Sequence, residues 1–280
     1  MKTKSFSLAL LTTLISVSSF AQKKYDIKFN LKPKEQYDIS TTMKSTINQM
    51  GMDIHMDMVG KTVYDIEKSG ENTAVNMHYK HLDVNVDAMG KDIKLSSDSS
   101  NKESETLKKI TQLQFQAILD KKGNIVKIIG ADSLKAMMGS AGQYFNSESI
   151  KKLFEQSFQI YPDGPVAVGD TWKKTLNVKN GIDLTANTIY TLEKVEGTTA
   201  FVKITGTIGS NGLQKFETNG MTLEMSLDGT QSGELQINTK TGMFDSSNII
   251  QDLSGKINAM GQEIPMKINT NATLSSTKVK

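Results

Sequence analysis

The sequence predicts a mainly β protein, α+β in detail, built on one large curved antiparallel sheet or half-barrel that wraps two short helices. Three observations predict it. Apolar and polar residues alternate with period two in many separate stretches, glycine-bearing turns separate those stretches, and helical spacing takes over only between about Ala131 and Phe158. Antiparallel sheets with one wet face leave this pattern.

Taken in chain order, the first element is a leader. Lys2 and Lys4 form a positive start, Phe6 to Val17 a short apolar run, and Ser19, Phe20 and Ala21 a cleavage site after Ala21. The run is too short to span a bilayer. Residues 1–21 therefore read as a signal peptide and 22–280 as a single exported β-rich domain, periplasmic or secreted. No cysteine is present to carry an acyl anchor. A chain of this length can bury a core without disulfides.

The strands follow. Ile54, Met56 and Met58 face one way while Asp53, His55 and Asp57 face the other. The same reading covers Val75/Met77/Tyr79, Leu82/Val84/Val86, Leu184/Ala186, Val202/Ile204, Met221/Leu223/Met225/Leu227, Leu235/Ile237 and Ile264/Met266/Ile268. Three similar segments, around Met50-Gly51, Met89-Gly90 and Met260-Gly261, place glycine where a hairpin tip needs positive φ. A second pair of turns ends in Gly123 and Gly242. The irregular spacing of these copies argues against a solenoid or propeller.

Between the strands, Asp132 caps one short helix running to Met138, and Ser147 caps another with Ile150, Leu153, Phe154 and Phe158 on one stripe. Tyr161-Pro162-Asp163-Gly164-Pro165 then breaks the helix, which makes 161–169 the place for a subdomain boundary. Ser96 to Glu105 is polar enough to form a mobile loop.

Composition excludes several functions. Loss of Lys2 and Lys4 with the leader takes the formal charge from +3 to +1, which is no footprint for nucleic acid. Every basic residue is Lys, His aside, so no guanidinium fork can clamp a phosphate or carboxylate. Nucleophile elbows, phosphate loops and dinucleotide fingerprints are absent, and the reading is not an enzyme. No cofactor is implied. His55, His78 and His81 are the alternative metal set, but His78 and His81 share a strand face only around a bulge, so a solvated polar face is favoured. Missing aromatic girdles disfavour a membrane barrel.

Fifteen methionines are the unusual feature. Thioethers adapt to varied apolar surfaces. The candidate ligand-binding set is therefore Met56, Met58, Met77, Met137, Leu153, Phe154, Phe158, Met221, Met225 and Met266, weighed against an ordinary methionine-filled core. Trp172, the only tryptophan, is expected to plug the fold at a strand start.

The segments Phe115 to Val126 (FQAILDKKGNIV) and Pro165 to Trp172 (PVAVGDTW), with the leader and the two helices, resemble an uncharacterised family of exported bacterial proteins. The order of elements is similar, more distantly, to the periplasmic lipoprotein-carrier superfamily of half-barrels. That resemblance implies a curved sheet over an apolar cavity able to take acyl chains or other amphiphiles. The best-known carriers use an arginine in lipoprotein handling, and this chain has none. The expected partner is thus a lipid or amphiphile, with an envelope protein-interaction module, filled and without ligand, as the alternative.

Overall fold

The computed structural model describes residues 22–88, 90–121, 123–133, 158, 160–180, 182–218, 221–259 and 261–280, and for 178–180, 182, 216–218 and 221 the backbone alone. Its strands are β1 (Lys24–Tyr25), β2 (Gln36–Gln49), β3 (Met52–Ser69), β4 (Asn72–Ala88), β5 (Lys91–Ser96), β6 (Gln114–Leu119), β7 (Ile125–Ile129), β8 (Val166–Ala167), β9 (Thr171–Asn180), β10 (Ile182–Glu196), β11 (Thr199–Ser210), β12 (Gln214–Thr218), β13 (Met221–Asn238), β14 (Phe244–Ala259) and β15 (Gln262–Lys278). A 3-10 turn (Lys102–Ser104) leads into α1 (Glu105–Thr111) between β5 and β6.

All strands but β1 and β8, which pair with each other, join one sheet of 13 strands. Its path runs β7-β6-β4-β3-β2-β15-β14-β13-β11-β10-β9, with β5 added to β4 and β12 to β13. Every pairing is antiparallel. The C-terminal strand β15 lies mid-sheet, and its pairing with β2 from Gln49 to Tyr37 joins the two halves of the chain.

The sheet is open but strongly curved. Phe115 and Leu119 on β6 share one buried cluster with Trp172, Tyr190 and Leu192 on β9 and β10, near the opposite end of the path. Strand twist accounts for part of this. Glycine accounts for more: a Cβ at Gly229 on β13 would fall on the Asp252 carbonyl oxygen, and one at Gly255 on β14 on that of Ser226. Only a residue without a side chain lets neighbouring strands coil so closely.

What the sheet closes on is an extended segment. Ile27, Phe29 and Leu31 are buried while Lys28 and Lys32 stay in water, and the Asn30 and Lys34 amides donate to the carbonyls of Thr241 and Ile66. The N-terminal chain is therefore the described plug of one end of the trough. Residues 131–133 are helical and Phe158 is buried; the remainder of the two expected helices lies outside the described residues.

Two local features differ from or sharpen the sequence reading. The polar stretch expected as a loop folds instead: Ser104 is fully buried, its hydroxyl accepts the Ser96 amide at 3.1 Å, and Leu107 anchors α1 against β4. Short polar side chains bonded to backbone make that turn, which composition alone reads as mobile. In β4 a register shift leaves one extra residue opposite Lys61 and Thr62. That bulge puts Val75, Met77 and Tyr79 on the same face as Leu82, Val84 and Val86, although the parity of the numbering changes between them.

Candidate functional site

Register defines the inward face row by row. At the plugged end, a row of Val84, Met58, Met43, Ala272, Ile249, Gly233, Ile204, Tyr190 and Trp172 crosses nine strands. Trp172 stacks on Tyr190 with ring centroids 5.5 Å apart, and its indole N–H donates to the Ile160 carbonyl at 2.6 Å. Tyr161 donates to the Gly242 carbonyl at 2.8 Å. Burial pushes the Tyr64 and Tyr161 hydroxyls far up and that of Tyr190 to about 12, so all three stay neutral. The apolar space bounded by Phe29, Leu31, Ile39, Phe158, Tyr161 and Met243 is only about 20 Å³. This end is packed.

Two residues further along each strand the inward row is polar: Ser45, Thr270, Gln251, Gln231, Gly206 and Thr188, in direct register on β2, β15, β14, β13, β11 and β10. Ser45 and Thr270 share a hydrogen bond of 2.8 Å; Gln251 donates to Gln231 at 3.5 Å, and Gln231 to Thr188 at 2.5 Å. Ser45 and Thr188 are buried, the rest half-buried.

Beyond it the face turns apolar again. Ile54, Ile47, Ile268, Leu253, Gly229, Ile208 and Ala186 form the next row, followed by Met266 and Leu227. Leu227 and Met266 are buried with Ile47, Leu184, Met225, Ile257 and Ile268 against them, as a second, smaller apolar cluster. Most of this half is only half-buried. The Met50-Gly51 tip adjoins it, with Met50 two-thirds exposed.

The sequence-derived set divides accordingly. Met77 and Phe158 belong to the packed end. Met56 and Met58 face inward beside Ser45 and Met43, and Met225 and Met266 line the open end. Met221 stands on β13 opposite Thr218, described by its backbone. Met137, Leu153 and Phe154 lie outside the described residues.

The three histidines do not converge. His55 bonds to Thr46 at 3.1 Å, whereas His81 reaches Asp83 and Asp98, each at 2.9 Å. Among the described residues no group of three or more His, Asp or Glu side chains is arranged to hold a metal. A groove of about 920 Å³ has a mixed lining, with Ile66, Met77, Phe115 and Ile129 beside Gln36, Asp65, Asn76 and Gln116; Gln36 donates to Asp65 at 2.6 Å and Gln116 to Asn76 at 2.7 Å.

Sequence reasoning missed both the N-terminal plug and the polar row. The plug had a signal in the alternation of Ile27, Phe29 and Leu31. The row had none, because Ser45, Thr188, Gln231, Gln251 and Thr270 are aligned only by pairings up to 225 residues apart.

The profile of a family of unknown function (DUF6263) matches residues 70–244. No curated protein matches the sequence. Among solved structures, a lipovitellin chain studied for its lipid–protein interactions superposes with a TM-score of 0.54 at 9% identity, covering 89% of this chain and 25% of its own. The chain thus spans a quarter of that protein's length, and the likeness is one of fold. An outer membrane channel from Pseudomonas putida F1 gives a TM-score of 0.27 at 9% identity over 90% of this chain and 98% of the channel. No helix among the described residues is long and apolar enough to cross a membrane.

Proposed function

The chain belongs to this family of unknown function, and we propose that it acts as an exported binding protein, not an enzyme, holding a lipid or other amphiphile against the open half of its inward face. One observation carries the reading. The aligned row Ile54, Ile47, Ile268, Leu253, Ile208 and Ala186 is apolar from β3 to β10 and, Ile208 apart, only half-buried. So broad an apolar surface within reach of water marks a binding site more often than a structural accident. The leader at Lys2 to Ala21 supports a periplasmic or secreted location.

A second reading has its own observation. The apolar space between Phe29, Phe158, Tyr161 and Met243 is only about 20 Å³, as in an envelope module with a filled core and a protein partner. Native mass spectrometry of protein recovered from its own envelope, with organic extraction of whatever is bound, separates the two. A stoichiometric amphiphile supports the binding role. Protein that is repeatedly empty, and that takes up neither a fluorescent fatty acid nor a fluorescent fatty alcohol, defeats it.

A further inference from the structure

The polar row has a chemistry that narrows the ligand. Ser45, Thr270, Gln251, Gln231 and Thr188 carry only hydroxyls and primary amides, and among the described residues no ionisable side chain interrupts them on the inward face. Both neighbouring rows are apolar where they cross β2, β15 and β14: Met43, Ala272 and Ile249 on one side, Ile47, Ile268 and Leu253 on the other. The next residue in the row, Lys174 on β9, is ion-paired with Asp163 at 2.8 Å.

We propose that this row is the head-group site for an amphiphile whose head is uncharged, such as a hydroxyl, ester or amide, with the chain lying along the isoleucine row beside it; the proposal rests on the binding role above. Three arguments lead there. An anionic head would lose water to a half-buried site where the described residues offer no counter-ion beyond Lys174 at the row's end, which Asp163 already holds, and that is costly. Amides and hydroxyls both donate and accept, so they can meet a glycerol hydroxyl or an ester carbonyl equally well. The geometry is amphiphilic too: the polar and apolar rows lie two residues apart, roughly 7 Å, and the apolar row runs six strand steps from β3 to β10, about 29 Å.

The test uses delipidated protein spanning residues 22–280 and three probes sharing one chain: mono-oleoylglycerol, oleyl alcohol and oleate, the last held ionised at about pH 9. The two neutral probes should bind about tenfold or more tighter than oleate, the scale of one or two net hydrogen bonds plus an unpaid desolvation. The double variant Gln231→Leu, Gln251→Leu should bring the three affinities close together with an unchanged circular dichroism spectrum. Oleate binding as tightly as the neutral probes, or a folded double variant that keeps the preference, overturns the head-group site and leaves the binding role standing. Failure of all three probes removes both. Should the variant not fold, the comparison on the unmodified protein decides by itself.

Discussion

The hydroxyls of Ser45 and Thr270 meet 2.8 Å apart across the pairing of β2 with β15, between residues 225 apart in sequence. Each satisfies the other on a face that is otherwise apolar on both sides. Replacing one partner by valine strands the other, at about 1–3 kcal/mol, whereas replacing both removes the mismatch. Urea unfolding of Ser45→Val, Thr270→Val and the double variant should therefore give a double loss smaller than the sum of the single ones by at least about 0.5 kcal/mol. Strict additivity would mean the pair is not coupled.

Sheet curvature makes a separate claim at Gly229. Its missing Cβ is the space taken by the Asp252 carbonyl, so Gly229→Ala must push two paired strands apart. The expected cost is about 2–3 kcal/mol, at the upper end for overpacking. Gly164 meets nothing within 4 Å, and Gly164→Ala should stay within about 0.5 kcal/mol of the parent. Equal midpoints for the two variants in a denaturant titration would refute the role assigned to Gly229.

Ile27 and Ile268 test which half of the molecule holds the fold together. Ile27 is buried in the plug, while Ile268 is half-buried in the open row. Ile27→Ala should cost about 2–5 kcal/mol and lower Tm sharply. Ile268→Ala should cost clearly less, since part of its surface already meets water. A larger loss at Ile268 would show that the open half is structural core, and would count against a ligand there.

How much of this was legible in the sequence depends on the range of the interaction. Strand faces follow from neighbours two apart, so Met56, Met225 and Met266 fall on the inward face as their alternation requires. Turn chemistry is equally local, and Gly51, Gly90 and Gly261 take the positive φ expected of them. The three histidines illustrate what is not local. A bulge does put His78 and His81 on one face, but His81 is drawn to Asp83 beside it on the same strand and to Asp98, 17 residues on in the turn after β5. The polar row was beyond reach for the same reason, because only the order of strands brings Gln231 beside Thr188. The loop expected at Ser96 to Glu105 failed because Ser104 found backbone partners that its polarity does not advertise.

The arrangement around His81 gives stability a pH dependence of definite sign. Both ring nitrogens face carboxylates, Nε2 toward Asp83 and Nδ1 toward Asp98, so the ring must carry both protons to donate twice. The bond to Asp83 and then the charges of Asp83 and Asp98 hold the imidazole above its usual value. With the folded value raised, this contribution is complete below the unfolded value of about 6.5 and disappears as pH rises through the folded one. Between the two values the native state binds more protons, so unfolding free energy falls with increasing pH. Urea midpoints measured across the neutral to mildly alkaline range should therefore decline, and His81→Gln should flatten that decline. Because Asp98 is mostly exposed, added salt should weaken the effect as well. Midpoints that rise over the same range, or a slope unchanged in the variant, would assign the pH response to other groups.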